Sequence, residues 1–531
     1  MANNNNSLVH WSDTTADRII RQLGERDRYT LACGITPSGT VHFGNFRETI
    51  TTDLVARALR ARGKNVRLIF SWDDFDTFRK VPKGMPQPEA LEKCLFTPIV
   101  DTPDPFGKEE SYARYHQKAF EAELTQVGVE VEYLYQSKKY RNGDYQKMIK
   151  QILSKREEIV AILNQHRTSD LAADWMPISI YCQQCNRDNK IEQIKFDGED
   201  DITYRCGHCQ QDFSIQLSTT DKIKLPWRID WPMRWEYEQV DFEPGGKDHS
   251  SQGGSYSTAK ELVQKLFNRP APIYLQYDFV SFKGAGGKMS SSAGGVITVS
   301  DVLKIYSAEM VRWIFASYKT NVDFAVSFDL DVIKSYEDFD KMERLAWGDE
   351  SGNPKKVAMA NRVYQLSQVD PNGKRERRPF RPPFRHLCNI LQINNGDLDR
   401  AQEYYAAEIR DDQDIQSFTK RAECAKHWID NFAPEDFKYQ LNRTPIQIDL
   451  EDKERAFLDK MSSLLTSDWD EIKSDKDLHE RIYLLVHQVE IDPKAAFTLL
   501  YRLLINREQG PKLASFIRII GATRVIELIR V

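Results

Sequence analysis

Apolar positions follow two spacings in the N-terminal part of the chain and a single spacing in the rest. From Arg28 to Ile35 a run built on Tyr-Thr-Leu-Ala-Cys predicts a strand, and a Gly/Pro/Ser/Thr turn comes next. Phe46 to Ala61 carries Ile50, Leu54 and Ala58 at helical spacing, and Val66 to Phe70 is again a short apolar run. Strand, turn, helix, strand is a βαβ unit and predicts a parallel sheet. Pro82 to Phe106, rich in proline and turn signals, predicts a loop leaving that sheet. Beyond it the pattern predicts a helix over Tyr112 to Gln126, a strand over Val129 to Tyr135 and a helix over Asp144 to Gln165. Ile273 to Phe282 is strand-like and Ser300 to Ser317 helical.

After about residue 330 the strand signals fade. Pro371 to Arg385 is rich in proline and arginine, and most of the remaining chain is helical. Ala496, Phe497, Leu500 and Leu504 share one helix face, and Ile482, Leu485 and Val486 another. The expected architecture is an α/β domain with an insertion, then an all-helical C-terminal domain, with no internal repeat.

Composition narrows the class. The 531 residues correspond to about three to four domains. Hydrophobic residues make up 40% and charged residues 29%, which excludes a wholly disordered chain. No run of about 18 apolar residues exists, so no membrane span is expected. Met1 to Ser7 lacks the basic and apolar regions of a signal peptide. The net charge of −5 means that nucleic acid would be bound through local basic patches. Four of the eight cysteines form two CxxC pairs, which favours zinc and a reducing, cytoplasmic setting over disulfides.

Two glycine-containing segments carry candidate chemistry. Pro37-Ser-Gly-Thr-Val-His-Phe-Gly-Asn45 ends the first strand and opens the first helix, where free backbone N–H groups and the helix dipole attract anions. Gly39 and Gly44 would allow a nucleotide close to the backbone, and His42 and Asn45 share one face of the opening turn. Phe282-Lys-Gly-Ala-Gly-Gly-Lys-Met-Ser-Ser-Ser292 is a basic, serine-rich loop at a strand end, suited to neutralising a departing pyrophosphate. It is not a P-loop, because Met289 stands where Ser or Thr would be needed. Taken singly, each segment also reads as an ordinary turn or exposed loop.

Together the two segments resemble the HIGH and KMSKS signatures of class I aminoacyl-tRNA synthetases, here His42-Phe-Gly-Asn45 and Lys288-Met-Ser-Ser-Ser292. Asn45 replaces the second His and Ser291 the second Lys, leaving the charge to Lys288, with Lys283 nearby. The runs Ser71 to Pro82, Leu225 to Trp235 and Phe242 to His249, and Gly510-Pro-Lys-Leu, are similar to the class I lysyl-tRNA synthetases typical of archaea and some bacteria. The resemblance covers nearly the whole chain.

It implies a Rossmann-type catalytic domain in two halves, 1–100 and 226–330, around a zinc-bearing insertion at 101–225. Linker helices at 331–370 and a helical anticodon-binding domain at 371–531 would complete the chain. The implied reaction is ATP-dependent activation of lysine and its transfer to tRNA-Lys by a monomer. His42, Asn45, Lys288, Ser290 and Ser291 would be catalytic. Pro37, Gly39, Thr40, Gly44, Gly246 and Asp248 would complete the ATP site, with magnesium. Gly34, Thr36, Trp227, His249 and Tyr277 would contact lysine. Trp231 and Trp235 are further candidate walls, and Glu48, Asp73, Asp74 and Asp76 candidate acceptors for its ε-ammonium.

Cys182, Cys185, Cys206 and Cys209 have the spacing of a closed structural zinc ribbon, with His208 a neighbour. The family can carry a second zinc, but here Lys108 and Tyr115 occupy ligand positions and leave only Asp104 and a displaced His116, so its loss is expected. For RNA, the basic clusters Lys138, Lys139 and Arg141, and Arg377, Arg378, Arg381 and Arg385 interleaved with Phe380 and Phe384, are candidates. A solvated linker is the bland alternative for the second cluster. Two other functions stay open: a class I synthetase for glutamate, glutamine or arginine, and a non-catalytic, synthetase-derived RNA-binding protein.

Overall fold

The computed structural model describes residues 10–250, 254–283, 296–373 and 375–530. It divides into two compact units. The first comprises Met1–Leu303, Ala308–Val326 and Met342–Arg375, the second Lys304–Ser307, Ser327–Lys341 and Glu376–Val531.

The first unit is built on a five-stranded parallel sheet. Its leading elements are α1 (Trp11–Leu23), β1 (Tyr29–Ile35), α2 (Phe43–Arg60) and β2 (Val66–Trp72). Then come α3 (Tyr112–Gln126), β3 (Glu132–Tyr135), α4 (Trp227–Tyr237), β4 (Phe242–Gly246), α5 (Ser255–Phe267), β5 (Ile273–Tyr277) and α6 (Ala308–Ser317). The strand order is β5-β4-β1-β2-β3. β1 pairs with β2 over its whole length, while its pairing with β4 starts at Leu31 and Phe242.

Both faces of the sheet are covered, as a parallel sheet requires. Alternation along β1 sends Leu31 to one side, into a core with Ala16, Ile19, Val55 and Leu59 from α1 and α2. Ala32 goes to the other side, with Ile69, Trp231 and Trp235, and with Ala259 and Val263 of α5. A fully buried Arg312 on α6 ties the layers together. It donates to Asp53 of α2 at 2.5 Å and to the carbonyls of Val127 and Leu366 at 3.0 and 3.1 Å. The buried charges tolerate this setting because each is paired and hydrogen-bonded.

Several elements differ from the pattern-based expectation. The helix expected over Asp144 to Gln165 breaks at Lys155 into Gln146–Ser154 and Arg156–Asn164. The strand expected over Ile273 to Phe282 is two, β5 and Val280–Lys283, because the Asp278 N–H leaves the ladder for the Thr320 carbonyl. The helix expected over Ser300 to Ser317 is likewise Val299–Leu303 and α6. β4 and α4 were not expected at all: Pro244 and two glycines disguise the strand, and Pro232 lies inside the helix.

The insertion has its own core around Tyr181, Ile202, Tyr204 and Ile215, which continues into Ile229 and Met233 of α4. A three-stranded antiparallel ribbon, Ile191–Phe196, Asp201–Cys206 and Gln211–Gln216, carries part of it. The second unit is helical, with a core that includes Phe457, Met461, Leu500, Leu504 and Phe516.

Candidate active site

In an open parallel sheet the strand order reverses at one point, and a crevice opens there beyond the strand C-termini. Here that point lies between β1 and β4. Gly34 lies near the end of β1, with Ser71 alongside on β2. A Cβ on Gly34 would sit 2.5 Å from the Ser71 carbonyl oxygen, so this approach admits only glycine. Thr36 comes just after, its hydroxyl donating to Asp76 at 2.7 Å. Pro37 and Gly39 are buried in the turn, and Thr40 and Gly44 half-buried.

His42 is the N-cap of α2. Its Nδ1 accepts from the Asn45 N–H at 3.2 Å, while Asn45 Oδ1 accepts from the His42 N–H at 3.3 Å. This reciprocal box satisfies two end donors of the helix. It also sets the chemistry. With Nδ1 an acceptor and burial lowering the pKa, the ring is neutral and its proton sits on Nε2. Nε2–H of His42 and the amide NH2 of Asn45 remain as donors at a helix N-terminus.

Lys288, Ser290 and Ser291 lie outside the described residues. The chain on either side of them is held against the start of α2: the Phe43 N–H donates to the Ile297 carbonyl at 2.9 Å, and the Phe43 and Phe282 rings are 5.7 Å apart. Sequence reading missed Arg47, which does related work. Buried on α2, it donates to the carbonyls of Phe279, Thr320 and Val322 at 2.7, 2.9 and 2.7 Å. One arginine thus ties the capped helix to the strand from which the second motif departs.

Beside the crevice lies a cavity lined by Gly34, Glu48, Asp73, Trp227, Trp231, Trp235, Glu243 and His249. Trp227 stacks on Trp231 at 5.1 Å, and His249 lies 5.9 Å from Trp231. Glu48 accepts from the Gly34 N–H at 3.0 Å and from the Tyr277 hydroxyl at 2.6 Å. Glu243, which sequence reading also missed, accepts from Trp235 Nε1 at 2.5 Å. Burial pushes both carboxyls up to about 7. Asp73 is already paired with Arg234 at 2.6 Å.

The other two candidate acceptors are committed elsewhere. Asp74 accepts from the Ser137 backbone and hydroxyl and from Gln117, and Asp76 holds Thr36 and Lys224. Gly246 ends β4, and Asp248 is exposed in the one-turn helix Lys247–Ser250 that follows it.

The four ribbon cysteines converge. Cys182 and Cys209 have their sulfurs 3.8 Å apart, as do Cys185 and Cys206, and all four lie within 4.8 Å of one another. Tetrahedral bonds of about 2.3 Å to a common ion would place thiolates about 3.8 Å apart. The donor set therefore fits a metal ion. His208 instead hydrogen-bonds Asn189 at 2.8 Å. Where the resemblance suggests a second metal, Asp104 caps the N–H groups of Phe106, Lys108 and Glu109, and Phe106 stacks on Tyr115 at 4.3 Å. His116 is buried there, and burial brings its pKa down to about 4.

Most of the candidate RNA-binding cations are engaged within the protein. Lys139 pairs with Glu238, Arg141 with Asp101, and Arg377 with Asp411 and Asp414. Arg378 is half-buried, and Arg381 lies over the Phe339 ring at 5.7 Å. Lys138 lies over the Tyr135 ring at 4.6 Å; it and Arg385 are exposed, without a carboxylate partner among the described residues.

A doubly wound sheet with a capped helix after its first strand, and the chain flanking a second basic motif held against that helix, is the catalytic plan of a class I aminoacyl-tRNA synthetase. The family model for class I (K) tRNA synthetases matches residues 9–370. A lysine–tRNA ligase of Borrelia garinii subsp. bavariensis is 45% identical, covering 98% of this chain and 99% of that protein. Those of Treponema pallidum (43%; 98% of each chain) and Thermococcus kodakarensis (38%; 98% and 99%) align as fully. The chain belongs to the class I lysyl-tRNA synthetase family. Among the described residues, no helix is long and apolar enough to cross a membrane.

Proposed function

We propose that this chain is a lysine–tRNA ligase. The observation that carries the substrate reading, beyond family membership, is the pair Glu48 and Glu243: acids lining a tryptophan-walled cavity, neither of them in an ion pair among the described residues. Lysine's methylenes suit the aromatic walls, and its ε-ammonium suits the two acids. A glutamate substrate would add a third negative charge. Gly34, Thr36, Trp227, His249 and Tyr277 would complete the lysine site.

The lysine carboxylate attacks the α-phosphorus of ATP, and pyrophosphate leaves. The 2′-hydroxyl of the terminal tRNA adenosine then attacks the acyl carbon, loses its proton and displaces AMP. No covalent enzyme intermediate forms, so the protein contributes positioning and charge stabilisation. His42 Nε2–H and Asn45 hold phosphate oxygens, Gly246 and Asp248 the nucleoside, and Lys288 with Ser290 and Ser291 the leaving pyrophosphate. Magnesium would accompany ATP and add positive charge there. Zinc on Cys182, Cys185, Cys206 and Cys209 would hold the insertion together. For RNA, Lys138 and Arg385 are the best-placed cations, and residues 371–531 would read the anticodon.

The test is ATP–pyrophosphate exchange with each of the twenty amino acids, in the presence of tRNA. Exchange with lysine alone is expected. Exchange with arginine or another amino acid would overturn the lysine assignment, and none at all would favour a non-catalytic protein.

The raised acids give a pH signature. A carboxyl near 7 must lose its proton before it can pair with an ammonium. The KM for lysine should therefore fall by up to about tenfold per pH unit on going from 6 towards 7, then level off. Glu48→Gln should raise KM and flatten the profile. A wild-type KM that does not change between pH 6 and 8 would rule these acids out as the ammonium's partners.

A further inference from the structure

The acids that would hold the substrate's ammonium do not by themselves choose lysine. Two carboxylates bind a guanidinium at least as well, because its planar fork engages both oxygens of an acid at once. Tryptophan walls suit it too. A lysine-specific cavity therefore needs a feature that turns arginine away. The carboxylates lining the cavity are Glu48, Asp73, Glu238 and Glu243. Asp73 is paired with Arg234 at 2.6 Å and Glu238 with Arg67 at 2.9 Å. Among the described residues, Arg234 is the only lysine or arginine in the lining. It is buried on α4, seven residues after Trp227 and on the same helix face. Its guanidinium is held on several sides. Nη1 donates to Ser71 Oγ at 2.7 Å and to Asp73 at 2.6 Å, Nη2 lies 3.3 Å from Asp230, and the group lies over the Trp227 ring at 5.1 Å. Burial raises the Glu243 carboxyl, and the Arg234 guanidinium is among the groups that pull it back down, so its charge is felt at that acid.

We propose that Arg234 is a specificity-determining residue: the amino-acid cavity already contains a guanidinium, and its charge excludes arginine while admitting lysine. The inference rests on the ligase reading above. On Trp227 and Asp73, Arg234 occupies the stacking and carboxylate positions that an incoming guanidinium would use. A second guanidinium would be brought against it where little water screens the two charges. Lysine's ammonium is a compact charge on a flexible stem and can stop at Glu48 and Glu243. Discrimination then comes from a repulsive element as well as from the attracting acids.

The experiment uses the full chain with tRNA present. It reads lysine-dependent pyrophosphate exchange, the inhibition of that exchange by arginine, and exchange driven by arginine itself. Arg234→Gln together with Asp73→Asn replaces the ion pair by a neutral, hydrogen-bonding pair, while Arg234→Lys keeps the charge and loses the fork. The ratio of the arginine inhibition constant to the lysine KM should fall on the order of a hundredfold in the neutral pair. It should stay close to the wild-type value in Arg234→Lys. Both variants disturb the packing on Trp227, so a purely structural role would raise the lysine KM in both and leave the ratio alone. Arg234→Gln by itself, which keeps Asp73, repeats the test if the double variant does not fold.

An unchanged ratio in the neutral variants would overturn the proposal. So would an equal fall in Arg234→Lys, which would make shape rather than charge the cause. The wild-type control separates this inference from the reading beneath it. Wild-type exchange driven by arginine as readily as by lysine would refute the lysine reading itself. A wild type selective for lysine, with neutral variants equally selective, would refute the role of Arg234 alone.

Discussion

Replacing His42 with alanine should lower lysine-dependent pyrophosphate exchange by about 10²–10³, the usual cost of removing one donor from a charge-stabilising site. It should also cost about 1 kcal/mol of stability, because the same ring caps α2. The two losses come from different nitrogens. Nδ1 receives the Asn45 N–H, while Nε2–H points away from the cap. His42→Asn separates them, since asparagine is among the best N-caps but does not reach as far. That variant should melt with the wild type while exchange stays low. If exchange returned together with the cap, the imidazole would be a structural residue only. Denaturant midpoints and exchange rates on the two variants, with tRNA present, decide it.

Cys206→Ser should have the largest effect on the insertion. Cys206 is fully buried and its sulfur faces that of Cys185 at 3.8 Å. Structural zinc stabilises isolated fingers by an apparent ~10–16 kcal/mol; this insertion has its own apolar core and should lose less, on the order of several kcal/mol. Lysine affinity should fall too. The insertion core continues into Ile229 and Met233 of α4, and the same helix carries Trp227, Trp231 and Trp235 into the cavity. Metal analysis should find one zinc per wild-type chain and none in the variant. Limited proteolysis should cut the variant within 180–216. Metal-free wild-type protein that keeps both its protease resistance and its lysine affinity would refute the structural role.

How much of the fold and the site was legible in the sequence varied with how local the cause is. β1, α2 and β2 could be read because their apolar spacing changes from sheet-like to helical and back within a few dozen residues. The four cysteines could be read because two CxxC pairs specify a cluster whatever lies between them. β4 could not: Phe-Glu-Pro-Gly-Gly reads as a turn, and it becomes a strand because β1 and β5 bind it on both sides. Charge was the least legible. Asp74 and Asp76 looked as available as Glu48, but Ser137, Thr36 and Lys224 had already claimed them. Glu243 gave no signal, since nothing near it in sequence shows that it faces a cavity. Arg47 was invisible for the same reason: its partners are carbonyls, which carry no side-chain identity, far along the chain.

The position of β4 bears on how the protein is made. β1 pairs on one side with β2, which is synthesised soon after it, and on the other through Phe242, about 210 residues later. At a synthesis rate of ~5–20 residues per second, that edge waits on the order of ten to forty seconds for its partner. The Arg312 anchor comes later still, and its last acceptor, Leu366, later again. During this interval the nascent chain presents a bare strand edge and half of a sheet face, the features that recruit other chains. Chaperone dependence during translation should therefore be concentrated in the window before residue 246 leaves the ribosome, and a chain stalled there should aggregate where one released after Leu366 should not.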